Sequence, residues 1–243
     1  MFQIEIAGHC FAIHNTYPYV EELCGDYITA KPPEAVINVS QEEIEKENTD
    51  GGKWSEGYLE SLAIYRKISE RLLDENIILF HCSAIEMDGK AYLFTAPSGT
   101  GKSTHTKLWR AVFGNRVTMI NDDKPLVSIP LDSSGVKMAG DVIRVYGTPY
   151  AGKDGLQTNI SAPVEAIVIL HQAMENSIER LDGRSAYPIL LNQTYRRNDP
   201  AGMMKTMELV GQLANLPVYS LGCNISEEAV MTAYRGIVKN IRM

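Results

Sequence analysis

Apolar and polar residues alternate from the start of the chain: Phe2, Ile4 and Ile6, then, past a turn that Gly8-His9 permits, Phe11 and Ile13. Period-two alternation broken by a glycine turn predicts a β-hairpin. Two more short β-type runs, residues 27–30 and 35–39, are separated by Pro32-Pro33, which has no place inside a central strand. Residues 1–40 therefore read as a small β-rich lobe. The stretch 41–53, QEEIEKENTDGGK, is acid-heavy and broken by Gly51-Gly52, and reads as a surface loop or a short exposed helix. The period then changes. Tyr58, Leu62, Tyr65, Ile68 and Leu72 fall three and four apart, which predicts a helix over residues 55–74 with one buried stripe, ended by Asn76.

Residues 77–87 and 91–95 are two β-type runs joined by Asp88-Gly89, so 77–87 is expected to pair antiparallel with 91–95. That hairpin departs from the βαβ order of a dinucleotide fold or a Ras-like GTPase. A helix is expected from residue 102 to 113 and a buried strand over 117–120. Further strands are expected at 142–146, 164–170 and 217–221, and helical character over 187–191. Asp199-Pro200 reads as an N-cap followed by proline at the first helical position, opening a helix whose Met203, Met207, Val210 and Ala214 share a face expected to be core. Ser226 is expected to cap a last helix with Glu227 and Glu228 in its first turn and Val230, Ala233, Ile237 and Ile241 as its stripe. The order of elements indicates an α/β fold with a β-rich lobe over residues 1–54 and a second domain over 55–243.

Composition narrows the classes. The chain has 243 residues, 44% hydrophobic and 22% charged, which is ordinary for a globular protein. A net charge of −7 argues against a nucleic-acid partner, since backbone binding needs a clustered positive surface. No apolar run reaches the length of a membrane span, and MFQIEIAGH lacks the basic and apolar regions of a leader, so a cytoplasmic protein without membrane contact is expected. Cys10, Cys24, Cys82 and Cys223 lie far apart with no C-x-x-C, and read as reduced, mostly buried thiols. Composition leaves a homo-oligomer open.

Chemistry is concentrated in residues 93–104, LFTAPSGTGKST. Gly99 and Gly101 let the chain turn back so that consecutive N–H groups point at one spot, and Lys102 adds a full charge there. The spacing is that of a P-loop, G-x-x-x-x-G-K-[ST], with Ala96 in place of the first glycine. Pro97, Ser98, Gly99, Thr100, Gly101, Lys102, Ser103 and Thr104 are thus the candidate nucleotide-binding segment. Ser103 stands where a hydroxyl would ligate Mg²⁺, and the start of the following helix favours a phosphate.

The strand at 117–120 ends in Asn121-Asp122-Asp123-Lys124. Of two adjacent acids near a phosphate site, one can hold Mg²⁺ while the other takes a proton from an attacking hydroxyl; an acidic β-turn is the plainer alternative. His81 shares a strand face with Ser83 and, taken alone, reads as a core histidine. Lys153, in the glycine- and proline-punctuated loop 146–155, offers a charge for a γ-phosphate or substrate, or is a solvated lysine. Arg196 and Arg197 suit an anionic group or a basic helix end.

The run LFHCSAIEMDGKAYLFTAPSGTGKST followed by MINDDKPLV resembles the catalytic domain of the HPr serine kinase/phosphorylase family, whose P-loop architecture is shared with phosphoenolpyruvate carboxykinase. The resemblance spans about residues 77–240, and its specific part is 77–130. It implies a P-loop kinase core in which Lys102 and the loop amides bind the β-phosphate, Ser103 and Asp123 hold Mg²⁺, and Asp122 is the base, with His81 close by. It also implies ATP as donor and a serine hydroxyl on a peptide, protein or free amino acid as acceptor. The family's E-I-R-G-x-G signature is echoed only by Asp141-Val142-Ile143-Arg144 and Gly147, and residues 1–40 do not resemble the N-terminal domain of the full-length enzyme. A non-catalytic ATP-binding module and a sugar or polyol kinase stay open beside this reading, as do ADP and pyrophosphate as donors.

Overall fold

The computed structural model describes residues 1–132, 140–152 and 154–241. In chain order the elements are β1 (Phe2–Ile6), β2 (His9–His14), α1 (Pro18–Leu23), β3 (Ala35–Asn38), α2 (Gln41–Lys46), α3 (Glu56–Leu72), β4 (Ile77–Leu79), β5 (Ser83–Met87), β6 (Lys90–Thr95) and α4 (Lys102–Phe113). They continue with β7 (Val117–Asn121), β8 (Leu126–Ser128), β9 (Arg144–Tyr146), β10 (Ser161–Gln172), β11 (Ser177–Leu181), α5 (Gly183–Asn192), α6 (Pro200–Leu213), β12 (Val218–Cys223) and α7 (Glu227–Ile241).

The hairpins follow from local chemistry. Ala7 and Gly8 both have positive φ (52° and 85°), as do Asp88 and Gly89 (54° and 81°), the two-residue geometry that matches strand twist. The first turn thus sits one residue before the Gly8-His9 expected. β1 and β2 pair antiparallel, and β3 adds parallel to β2, giving a three-stranded sheet. The run at 27–30 is not a strand: Gly25–Tyr27 forms a 3-10 turn, and only an isolated Ile4–Ile28 bridge remains. The acid-heavy stretch becomes the exposed α2, held by a capping box between Ser40 and Glu43.

The large sheet is mixed. β7, β5 and β6 are successively antiparallel, β6, β10 and β12 run parallel, and β11 closes the edge antiparallel to β12. Of the run expected as one strand over 77–87, only β5 pairs with β6; the run breaks at Phe80–Cys82, and β4 instead pairs with β8. Alternation along the central strands feeds two cores. Ala91, Leu93, Ile167 and Val218 pack against Leu190, Leu209, Val210 and Leu213 of α5 and α6. Tyr92, Phe94, Val168 and Tyr219 pack against Trp109 of α4 and Val230, Ala233 and Ile237 of α7. The sheet is therefore covered on both faces. A third core joins Ile4, Phe11 and Ile13 of the small sheet to Ile64, Tyr65 and Ile68 of α3 and to Ile77 and Leu126 of the large sheet.

Helix ends fall where their caps stand. Ser55 accepts from the Tyr58 N–H at the start of α3, Asn76 adopts the left-handed conformation beyond its end, and Asp199 accepts from the Gly202 N–H at 2.8 Å. On α6 the core side is Gly202, Thr206, Leu209, Val210 and Leu213, while Met203, Met204 and Met207 are exposed. Of the face expected as core, Val210 and Ala214 are buried but Met203 and Met207 are exposed, because in the first half of the helix the inner stripe runs through Gly202 and Thr206 instead. Cys10, Cys24 and Cys82 are buried and Cys223 half-buried, all free thiols. Among the described residues no helix is long and apolar enough to cross a membrane.

Candidate active site at the glycine loop

Two positive-φ glycines shape the turn between β6 and α4: Gly99 at 80° and Gly101 at 118°, the latter the residue before the first turn of α4. Any side chain would be strained at both. Lys102, the first helical residue, is 7% exposed, and its Nζ donates to the Ala96 carbonyl oxygen at 3.0 Å, which folds the lysine back along the loop. Burial holds its pKa below the ordinary lysine value, with Asp123 pulling the other way.

The acids come from the end of β7, where Asn121 organises the turn. Its Oδ1 accepts from the N–H groups of Asp123 (2.9 Å) and Lys124 (2.8 Å), while its Nδ2 donates to the carbonyl oxygens of Thr148 (3.1 Å) and Tyr150 (3.3 Å). Ser83 Oγ donates to the Asp122 carbonyl oxygen at 3.0 Å, and the Cys82 N–H donates to that of Asp123 at 3.3 Å. The turn is therefore sewn to the first residues of β5.

The two carboxylates have different surroundings. Asp122 is buried and accepts from the Gly152 N–H at 2.7 Å; burial raises its pKa, the Gly152 bond opposes this, and the charge of Asp123 adds to it. Burial also works against the Asp123 carboxylate. Hydrogen bonds and charge from His81 (Nε2 to Oδ1, 3.3 Å) and Lys124 (Nζ to Oδ2, 2.7 Å) together outweigh it and hold the pKa well below the usual carboxylate range. His81 Nδ1 lies 2.8 Å from Gln193 Oε1, and the His81 N–H donates to the Gln193 carbonyl oxygen at 2.8 Å, so the ring is clamped between Gln193 and Asp123.

These groups share one cavity of about 690 Å³, lined by His81, Ser98, Gly99, Gly101, Lys102, Ser103, Thr104, Lys107, Asp122, Asp123, Gly152 and Asp154. Among the described residues no group of three or more His, Cys, Asp and Glu is arranged to hold a metal. Mg²⁺ does not need one, since it is held through one or two carboxylates with phosphate oxygens and water completing the octahedron. The Ser103 hydroxyl and the two aspartates on this cavity are donors of the right kind, so the residues fit the ion.

No protein-family model matches this chain, and no curated protein matches it. Among solved structures it is similar to the HPr(Ser) kinase/phosphatase from Coxiella burnetii, with 11% identity and a TM-score of 0.32, covering 68% of this chain and 90% of that one. A likeness at that level decides neither fold nor chemistry, which have to be argued from this cavity.

Of the residues singled out in the sequence, His81, Ser98, Gly99, Gly101, Lys102, Ser103, Thr104, Asp122 and Asp123 line the one cavity. Pro97 and Thr100 lie on the outer side of the loop, against Leu170, His171 and Gln172. Lys153 lies outside the described residues. Arg197 is paired with Asp74 and Asp199, donates to the Glu70 carbonyl oxygen at 3.4 Å, and is not among the residues that line the cavity. Sequence reasoning missed Gln193, Lys107, Gly152 and Asp154. Lys107 was within reach, one helical turn beyond Ser103; Gln193 and Gly152 arrive through tertiary contacts that no local pattern encodes.

Proposed function

We propose that this protein is a kinase of the P-loop type that transfers the γ-phosphoryl group of ATP to a hydroxyl, with a serine of a peptide, protein or free amino acid as the acceptor. One observation carries the reading: a glycine-turned loop with a buried lysine at a helix start faces two aspartates across a single polar cavity. Phosphoryl transfer asks little covalent chemistry of a protein; it asks for positioning and charge neutralisation, and these residue types supply both.

In this reading the loop amides and Lys102 hold the β- and γ-phosphates, and Ser103 and Asp123 hold Mg²⁺. Charge neutralisation on the phosphate oxygens is what the ion supplies. Asp122, reached from the cavity and fixed by the Gly152 N–H, orients the acceptor hydroxyl and takes its proton as the oxygen bonds to the γ-phosphorus and the bond to the β–γ bridging oxygen breaks, releasing ADP. Asp123, anchored by His81 and Lys124, stays anionic as the ligand. His81 positions Asp123.

The test is label transfer from γ-labelled ATP and Mg²⁺ into size-fractionated cell extract, comparing wild type with Lys102→Ala and Asp122→Asn. Label in a peptide or protein band with wild type alone supports the proposal and points to the acceptor. Label confined to the small-molecule fraction removes the peptide and protein acceptors and leaves a free amino acid, or a sugar or polyol, to be told apart by identifying the labelled compound. No label anywhere, with ATP binding intact, sinks the kinase reading and leaves a nucleotide-binding module.

A further inference from the structure

Tyr150 stands two residues before Gly152, whose N–H donates to Asp122 Oδ1 at 2.7 Å. Its side chain is not among those that line the cavity. It belongs instead to the core that joins the small sheet to α3, together with Ile4, Ile13, Ile64 and Leu126, and is 4% exposed. There the ring stacks on Tyr65 of α3, with centroids 3.9 Å apart and planes 11° from parallel. Rings that close and that parallel overlap over most of their faces, so each fixes the plane and height of the other.

Tyr65 also reaches the acid turn. Its hydroxyl donates to the Lys124 carbonyl oxygen at 2.6 Å. One side chain of α3 therefore touches both strips of chain that meet at Asp122, the turn 121–124 and the segment 148–152. Hydrogen bonds tie the strips to each other: Asn121 Nδ2 donates to the Tyr150 carbonyl oxygen at 3.3 Å, and Thr148 Oγ1 donates to that of Lys124 at 2.9 Å. Gly152 lies so near the carboxylate that a Cβ there would stand 3.1 Å from Asp122 Oδ2. A tyrosine in a core is ordinarily filler, but this one is tethered. Two residues span at most about 7 Å, so little slack separates the stacked ring from the amide that holds the aspartate.

We infer that Tyr150 is a positioning residue for phosphoryl transfer: seated against Tyr65, it sets where the Gly152 N–H stands and so where the Asp122 carboxylate is aimed. The inference rests on the kinase reading of the cavity. It gives the small sheet and α3 a part in the reaction, although no residue of either lines the cavity. Removing the ring misplaces the proton acceptor and leaves the glycine loop as it is, so the loss falls on kcat and not on the KM for ATP.

Initial rates of the full chain with labelled ATP and the extract fraction that accepts label, taken per folded molecule over a range of ATP concentrations, test this. Tyr150→Ala should lower kcat about 10–10²-fold and shift the KM for ATP by less than about twofold. Tyr150→Phe keeps the ring and should restore kcat to within about twofold of wild type. Leu209→Ala, in the core on the α5 and α6 side of the large sheet, should lower the melting temperature and leave both constants unchanged, which separates aiming from loss of packing. Amide exchange read by NMR needs no activity: the Gly152 N–H should be protected in wild type and Tyr150→Phe, and exchange at least about tenfold faster in Tyr150→Ala. If Tyr150→Ala does not fold, Tyr150→Leu, apolar but unable to stack, carries the same comparison. An unchanged kcat in the folded variant, a loss that Leu209→Ala matches, or a loss with Gly152 still protected overturns the inference, and label transfer by wild type keeps the kinase reading standing. No transfer by wild type overturns both.

Discussion

Glu60 in α3 and the Asp122-Asp123 pair are all acids that the fold withdraws from water, and they are used in opposite ways. Glu60 is fully buried, and each of its oxygens meets a backbone donor: Thr16 N–H at 2.6 Å and Tyr17 N–H at 2.9 Å. It fastens α3 to the residues that open α1 and is not among the residues that line the cavity of the aspartates. Asp122 and Asp123 border open space, opposite a lysine and a glycine-turned loop. Burial alone therefore does not mark an acid as functional. An acid whose partners are all structural is a fastening; an acid that looks across a cavity at a cation is in a position to act.

The contrast breaks most visibly on activity. Lys102→Ala and Asp122→Asn are each expected to lower phosphoryl transfer by about 10²–10³-fold with the melting temperature held. Glu60→Gln should leave the rate per folded molecule untouched. Initial rates with labelled ATP beside thermal melts of the same preparations decide it. On stability the order reverses: Glu60→Leu strands two backbone donors and should cost about 2–4 kcal/mol, read from urea midpoints.

His105, buried in α4, extends the comparison to a group that accepts from Trp109 Nε1 at 3.0 Å within its own helix and carries no charge when neutral. Burial lowers its pKa from 6.5 to about 4. Below pH 6.5 the unfolded chain takes up a proton that the folded chain refuses, so folding stability falls as pH drops through that window, by about 3 kcal/mol at most. Urea midpoints between pH 7 and 4.5 should show this slope, and His105→Gln should remove its share. Smaller again, Gln193→Leu frees the His81 ring and should cost about tenfold in kcat with little change in KM for ATP, if positioning of Asp123 is what His81 provides. Met204, 71% exposed on α6, should tolerate glutamate within about 0.5 kcal/mol, whereas Leu209→Ala on the core side should not.

What could be read from the sequence divides along the same line. The glycine loop, Lys102 and Ser103 are contiguous in the chain, and the paired aspartates follow at the end of the next strand, so their spacing alone implied one cavity. The hairpins, α3, the Asp199-Pro200 cap and the apolar run of β10 were likewise local signals. The clamp on His81 was hidden because Gln193 reaches it from the far end of α5, and the break between β4 and β5 because both halves of that run are equally β-prone; pairing partners, not propensity, separate them. The α6 stripe was right at Val210 and Ala214 and misread at Met203 and Met207, because methionine suits core and surface alike. Small and polar Gly202 and Thr206 gave no hydrophobic signal of the true inner face.

The pairing of β6 has a consequence for the order in which the protein can be made. The strand that delivers the glycine loop lies between β5, its immediate neighbour in sequence, and β10, where Thr95 meets Ile169. During synthesis the β5–β6 hairpin can form early, but its open edge stays uncovered until β10 has left the ribosome, and the seat of the loop against Gln172 waits with it. The glycine turn is encoded in the first half of the chain and completed in the second. A nascent or truncated chain ending before residue 161 would present a bare strand edge rather than a weak kinase.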